Sequence, residues 1–203
     1  MPRVSEEHLE RRRRQILDAA RVCFIRKGIH ATSMQDIFAE SGLSAGAVYR
    51  YYKSKNEIIE ANISAVVGDL NAFFRRLVDS DPLLPVDEVI ERFASKVVSL
   101  SGPDGPLRLA PAAWALSMHD PEIAAYMAGN IRAIRETWAH YLRRLVDAGA
   151  LPPGTDVVAA AKTLFAILPG FVLQRLLLGD VSPEELRRGI KALSRDGLLT
   201  LPA

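Results

Sequence analysis

The sequence predicts an all-α fold of about nine helices, and three observations carry that expectation. Ala and Leu dominate a chain of 203 residues in which aromatics make up only 7%, a balance that favours helix. Apolar residues return at helical spacing in one segment after another, and no run alternates with the period of a strand. Most of those segments are preceded by a helix-start signal. There is no internal repeat and no low-complexity stretch.

The first helix is expected over about residues 5–28. Ile16, Ala19, Ala20, Cys23 and Phe24 share one face, and Gly28 ends it. Arg11 to Arg14 lie in its opening turns, either as a solvated basic face or as a source of phosphate attraction. Ser33, with Asp36 three residues on, reads as the capping box of a second helix. Ser41-Gly42 supplies its stop, because glycine accepts the left-handed conformation that commonly ends helices. Ser44 caps a third helix, SAGAVYRYYKSK, with Leu43 and Val48 spaced as a hydrophobic staple. Ser54 and Glu57 repeat the box and start a fourth helix at Lys55 that runs to about Val78.

SDPLLP then breaks the chain at Pro82 and Pro85. A fifth helix is expected over about 86–101, and the loop from Gly102 to Pro106 interrupts it. A sixth covers about 107–119. Asp120 caps a seventh with Pro121 at its first position, ending before Gly149. The eighth, about 156–179, is apolar almost all round, as a helix buried on several sides or crossing a membrane would be. Lys162, Pro169-Gly170 and Gln174-Arg175 cut its uninterrupted apolar run below the roughly 18–20 residues of a span, so the membrane reading is rejected. Ser182, Pro183 and Glu185 start a ninth helix over about 183–196.

Several function classes fall away on composition. The single cysteine, Cys23, allows no internal disulfide, and a reducing cytoplasm is the simple reading. The N-terminus has no apolar stretch after its charges, unlike a secretory signal. His8, His30, His119 and His140 lack metal-ligand spacing, and there is no nucleophile elbow or phosphate loop. Neither an enzyme nor a cofactor is expected. Charge is unevenly placed: residues 1–56 carry eleven Lys and Arg against six Asp and Glu, a balance of +5 in a chain of net +2. A basic first quarter on an acidic remainder points to a polyanion partner for that quarter.

The third helix is where chemistry concentrates. Helix, turn of about four residues, helix is the spacing of a helix-turn-helix DNA reader. Tyr49, Arg50, Tyr51 and Tyr52 are followed by Lys53 and Lys55, and they cannot all face inward. Gly46 leaves the backbone bare for close approach to a ligand, and the helix start offers free amides to a phosphate. Thr32-Ser33, Asp36-Ile37, Ser41-Gly42-Leu43-Ser44, Gly46, Val48-Tyr49, Tyr51-Tyr52 and Ser54-Lys55 together resemble the DNA-binding domain of TetR-family transcriptional repressors, over residues ~10–60. The rest of the chain resembles that family only in architecture.

The resemblance implies a DNA-binding domain over 1–56 and a ligand-binding and dimerisation domain over 57–203. It places Thr32 or Ser33, Ser44, Tyr49 and Lys55 on phosphates, and Ala45, Gly46, Ala47, Arg50 and Tyr51 toward base edges. Among these, Arg50 alone can make a bidentate contact to guanine, a further phosphate contact being its alternative. Tyr52 is expected to pack inward. Phe73, Phe93, Trp114, Met118, Met127, Trp138 and Phe165 are the candidate lining of a pocket for a small-molecule inducer, or else plain core. Dimerisation is expected on Ala159, Leu164, Ile167, Leu168, Phe171, Leu178 and Leu186.

The function implied is a homodimeric repressor that binds a palindromic DNA operator and is released by an inducer that tilts the fourth helix. The alternative is a helical small-molecule binder or enzyme with a vestigial reader. An activator, or a repressor without an inducer, is a further variant of the first reading. Tyr49→Phe combined with Lys55→Ala separates the two main readings, since only the alternative leaves function in the cell unchanged.

Overall fold

The computed structural model describes residues 6–195, and the expected helix limits at residues 5 and 196 lie outside them. Nine α-helices and one 3-10 turn occupy the described residues, with no strand among them. In chain order they are α1 (Glu6–Lys27), α2 (Met34–Ser41), α3 (Ala45–Tyr49), α4 (Lys55–Val78), α5 (Val86–Ser99), the 3-10 turn Pro106–Leu109, α6 (Ala110–Ser117), α7 (Pro121–Asp147), α8 (Val157–Leu177) and α9 (Pro183–Arg195). The all-α expectation holds, and the capping chemistry explains most of the boundaries. Asp120 Oδ1 accepts from the amides of Glu122 and Ile123 at 3.0 and 3.2 Å, opening α7 just before its proline. Ser182 and Glu185 exchange both bonds of a capping box, at 3.0 and 3.2 Å, to open α9.

Two boundaries differ from expectation. The third helix stops at Tyr49 after five residues instead of running on toward Lys55. Ser54 Oγ takes the Glu57 amide and the Glu57 carboxylate takes the Lys53 amide at 2.6 Å, so the start of α4 fixes its upstream residues outside any helix. The sixth helix is split, because a 3-10 turn with Pro106 at its start precedes α6, which carries Pro111 near its own first turn. Neither proline can donate to a preceding carbonyl, so no regular ladder continues through both.

The chain forms two compact units, Met1–Val67 with Pro103–Tyr126, and Gly68–Gly102 with Met127–Ala203. In the first unit, Ile16, Phe24, Ile37, Val48 and Ile58 form a core from α1 to α4, and burying each such side chain contributes about 1.5–3 kcal/mol. In the second unit α4, α5 and α7 meet through aromatic rings. Phe74 lies 4.6 Å from Trp138 and 5.3 Å from Phe93, centroid to centroid. Tyr141 is wholly buried beside Trp138, and its hydroxyl donates to Leu84 O; burial raises its pKa above the ordinary phenol value. Arg187 of α9 pairs with Asp87 and Glu91 of α5, each at 2.7 Å, which anchors the last helix.

By length and composition alone α8 would pass for a membrane span, its polar interruptions notwithstanding, so that ground for rejecting a span does not stand by itself. Yet Ala161, Leu168, Phe171 and Val172 are buried within the second unit. Its other side is exposed, with Val158, Leu173 and Leu177 all more than a third open.

Candidate nucleic-acid interface

Two helices and a three-residue corner, Gly42 to Ser44, make the candidate interface. Ser33 Oγ accepts from the Asp36 amide while the Asp36 carboxylate accepts from the Ser33 amide, at 3.2 and 2.9 Å, the reciprocal box that starts α2. Gly42 closes α2 at φ +65°, a left-handed conformation that residues with a side chain rarely adopt. Ser44 Oγ accepts from the Ala47 amide at 3.3 Å and starts α3. Buried Val48 and the Tyr49 ring, edge-on to Phe38 at 5.5 Å, lock α3 onto α2.

Helix α1 holds this pair from behind. Gln15 Nε2 donates to Ser41 O at 2.8 Å, and Arg26 and Lys27 reach Glu40 and Asp36 at 2.9 and 2.6 Å. Lys27, followed by the Ser33 amide and hydroxyl, holds the Asp36 carboxyl well below the ordinary carboxylate range. Cys23 is buried, and its Sγ contacts Asp36 O at 3.7 Å. Burial pushes its thiol up, which suits packing and not reactivity.

The face turned outward carries the residues expected to meet DNA. Ser33, Ser44, Ala45, Gly46, Tyr49 and Arg50 are exposed, while Ala47 and Tyr51 are half-buried. A Cβ built on Gly46 would meet nothing within 4 Å, so internal packing does not require a glycine there. Tyr52 is half-buried, as expected, and burial raises its pKa, with Arg13 opposing and Glu10 adding to the shift. With only five residues, α3 sums too few peptide dipoles to attract phosphate by its macrodipole; what it offers is its exposed first amides.

Two of the residues expected on phosphates are committed within the chain, while Ser33, the alternative to Thr32, stays exposed. Thr32 is 1% exposed, and its hydroxyl donates inward to Gly28 O at 2.8 Å and Cys23 O at 3.2 Å. Its amide is also committed, to Gly28 O. Thr32 therefore seals the α1–α2 corner. Lys55 Nζ lies 3.0, 3.3 and 3.0 Å from the carbonyls of Ile29, His30 and Thr32. An ammonium has three protons, so all three are accounted for within the chain. Sequence alone could not show this, because the acceptors lie more than twenty residues upstream.

The expected pocket residues divide between the units. Trp114, half-buried, and Met118 belong to the first unit, and Met118 is 80% exposed, which removes it as a lining residue there. Phe73, Phe93, Met127, Trp138 and Phe165 belong to the second. Phe73 and Phe93 stand 6.5 Å apart, and the Arg135 guanidinium sits 5.5 Å from the Phe165 ring centroid. Arg135 is not among the seven expected lining residues. The one signal it gave was its place three residues before Trp138 on the same helix face. A separate open depression of about 260 Å³, lined by Arg75, Asp79, Glu136, Thr137 and His140 among others, touches none of the seven.

The expected dimer contacts also separate. Leu168 and Phe171 are buried at 6% and 2% exposure, so they are core and are withdrawn from the interface. Ala159 and Leu178 are exposed, and Leu164, Ile167 and Leu186 are half-buried.

Comparison with known proteins places these features in context. Residues 16–61 match the family described as bacterial regulatory proteins, tetR family, and residues 87–198 match the BetI-type transcriptional repressor C-terminal family. The regulator UidR of Escherichia coli is 28% identical over 195 residues, covering 93% of each chain. In structure the chain is similar to GusR of Salmonella enterica, with a TM-score of 0.77 at 22% identity over 95% of this chain and 98% of that one. It is also similar to the regulator FadR of Bacillus subtilis, solved in complex with stearoyl-CoA, with a TM-score of 0.74 at 19% identity over 91% of this chain and 98% of that one.

Proposed function

The chain belongs to the tetR family of bacterial regulatory proteins, and we propose that it is a cytoplasmic repressor that holds a palindromic operator as a homodimer and leaves it when an inducer binds. It is a transcriptional regulator and not an enzyme. The observation that carries the repressor reading is the outward face of α3, where Ala45 and Gly46 leave backbone bare beside exposed Tyr49 and Arg50. Small residues let the helix enter a major groove, and Arg50 can reach guanine or phosphate at its end. In a dimer the two readers must stand about 34–36 Å apart, or a multiple of it. Domain limits of 1–56 for reading and 57–203 for ligand and partner serve this division of labour.

A gel-shift titration against a palindrome from upstream of its own gene tests the proposal. Binding is expected to weaken steeply with salt, since each neutralised phosphate contributes about −0.9 to the slope of log K against log salt. Salt-insensitive binding, or none to any genomic fragment, overturns it. For the inducer, a swing from 99% to 1% occupancy requires a differential affinity of about 5.5 kcal/mol between the two states.

Dimerisation is supported by the exposed side of α8. Ala159, Thr163, Ala166, Gly170, Leu173 and Leu177 follow one another at alternating steps of four and three, and all but half-buried Gly170 are exposed. That is the seam a second helix packs against, with small residues allowing close approach. A second copy of the chain would cover it. Leu177 is 76% exposed, so Leu177→Glu is expected to leave the fold intact and convert the dimer to monomer in sedimentation at micromolar concentration. A variant that sediments like the unmodified dimer would rule this face out.

A further inference from the structure

Two buried hydrogen-bond donors on one face of α7 have no acceptor among the described residues. Trp138 is wholly buried, and its Nε1 has no hydrogen-bond partner. Arg135, one turn earlier, has a buried Nε that is likewise unpartnered. Residues at i and i+3 on a helix are neighbours, with Cβ atoms about 5–6 Å apart. Buried polar groups are overwhelmingly satisfied in folded proteins, and an exception points to a water, an ion or a ligand.

The surroundings narrow that choice. The Arg135 guanidinium carbon lies over the Phe165 ring, 5.5 Å from its centroid, and a guanidinium held against a ring can still offer in-plane N–H groups, here the unpartnered Nε, to a planar acceptor. The Trp138 indole packs on Phe74, which touches Phe93, which in turn stands beside Phe73. Two donors, one of them permanently cationic, therefore sit among aromatic rings of the second unit. A cationic ligand would meet repulsion there, and a purely apolar one would leave both donors unpaired.

We propose that the effector is an organic anion, a carboxylate on an apolar body, whose head is received by Arg135 and Trp138 Nε1 and whose body lies against Phe165 and the Phe73–Phe93 cluster. This rests on the inducer-binding reading above and names the ligand class for it.

Calorimetric titration of the full-length chain with decanoate, decan-1-ol and decyltrimethylammonium tests the assignment, without requiring DNA. Decanoate is expected to bind at least tenfold tighter than the alcohol, and the cation not at all. Arg135→Gln is expected to weaken decanoate by about tenfold to a hundredfold, the loss of a charged hydrogen-bonding partner, and to leave the alcohol within twofold. Arg135→Lys, which keeps the charge and loses the fork, falls between. Thermal melts confirm that each variant is folded. Equal binding of decanoate and alcohol, decanoate binding indifferent to Arg135→Gln, or no binding by the folded chain overturns the proposal. So does a high-resolution structure grown with decanoate in which only a water spans the two donors. A gel shift on the same preparation separates the two claims. Operator binding without decanoate binding removes the ligand class alone, and Arg135-dependent decanoate binding without operator binding removes the repressor reading alone.

Discussion

Lys55→Ala is expected to lower the melting temperature by about 2–8 °C and to weaken operator binding without changing its salt dependence. The reason lies in where this lysine stands. As the first residue of α4, it sits at the positive end of a 24-residue helix, a place that electrostatics disfavours by about 0.3–1 kcal/mol. What holds it is the trio of carbonyls from Ile29, His30 and Thr32, all on the turn that leads from α1 into α2. Charged hydrogen bonds contribute about 1.5–3 kcal/mol when both partners are withdrawn from water. These are only partly withdrawn, and relief at the helix start offsets some of the loss. A net cost of about 1–2 kcal/mol follows, or roughly 2–4 °C per kcal/mol for a chain of this size.

The salt slope distinguishes this role from a grip on phosphate. Removing a phosphate-neutralising cation lowers the magnitude of the slope by about one unit. A clamp whose protons are all spent inside the chain affects affinity by loosening the α1–α2 turn, and the number of ions released on binding stays the same. Denaturation scans and operator titrations at several salt concentrations decide the matter. An unchanged melting temperature with a slope smaller by one unit would return Lys55 to the DNA.

Thr32 and Lys55 also show where the sequence stops being legible. Local chemistry was readable because its partners are three or four residues apart. Ser33 with Asp36, Ser44 with the Ala47 amide, and Asp120 before Pro121 all appear in the structure as the spacing implies. Inward roles were not, because an amphiphilic side chain near a motif can turn either way, and its acceptors come from distant segments. The early end of α3 was hidden for a related reason. Tyr49 to Tyr52 have no strong helix breaker, and it is the start of the following helix that pulls them out of register.

On α8 the difficulty is of another kind. A helix apolar on every side has no periodicity to mark its inner face. Leu168 and Phe171 therefore could not be told from Leu173 and Leu177 until burial was known. In the second unit the aromatic residues were legible as a group, but the contact between Arg135 of α7 and the Phe165 ring of α8 joins two distant segments, which no local spacing shows.

Gly46→Leu is expected to abolish specific operator binding while leaving the fold as stable as before, or more so. Glycine inside a helix costs about 1 kcal/mol relative to alanine, and leucine is nearly as good a helix former as alanine. No neighbour stands within 4 Å of the Cβ that would be added, and φ at this position does not demand glycine. Nothing among the described residues, then, accounts for the glycine. An outer surface pressed against this spot would account for it, because a leucine side chain there would hold the α3 backbone away from the groove. Specific and non-specific DNA affinities usually differ by about 10³-fold or more, and losing the reader's seat in the groove forfeits that difference. Residual binding should be weak, salt-sensitive and blind to sequence. Gly46→Ala, with a single added carbon, should retain partial affinity and melt at the same temperature or higher. Opposite signs for stability and binding are the signature sought, since a substitution that merely damages the fold lowers both. If Gly46→Leu binds the palindrome as the unmodified chain does, then this face of α3 does not enter the groove.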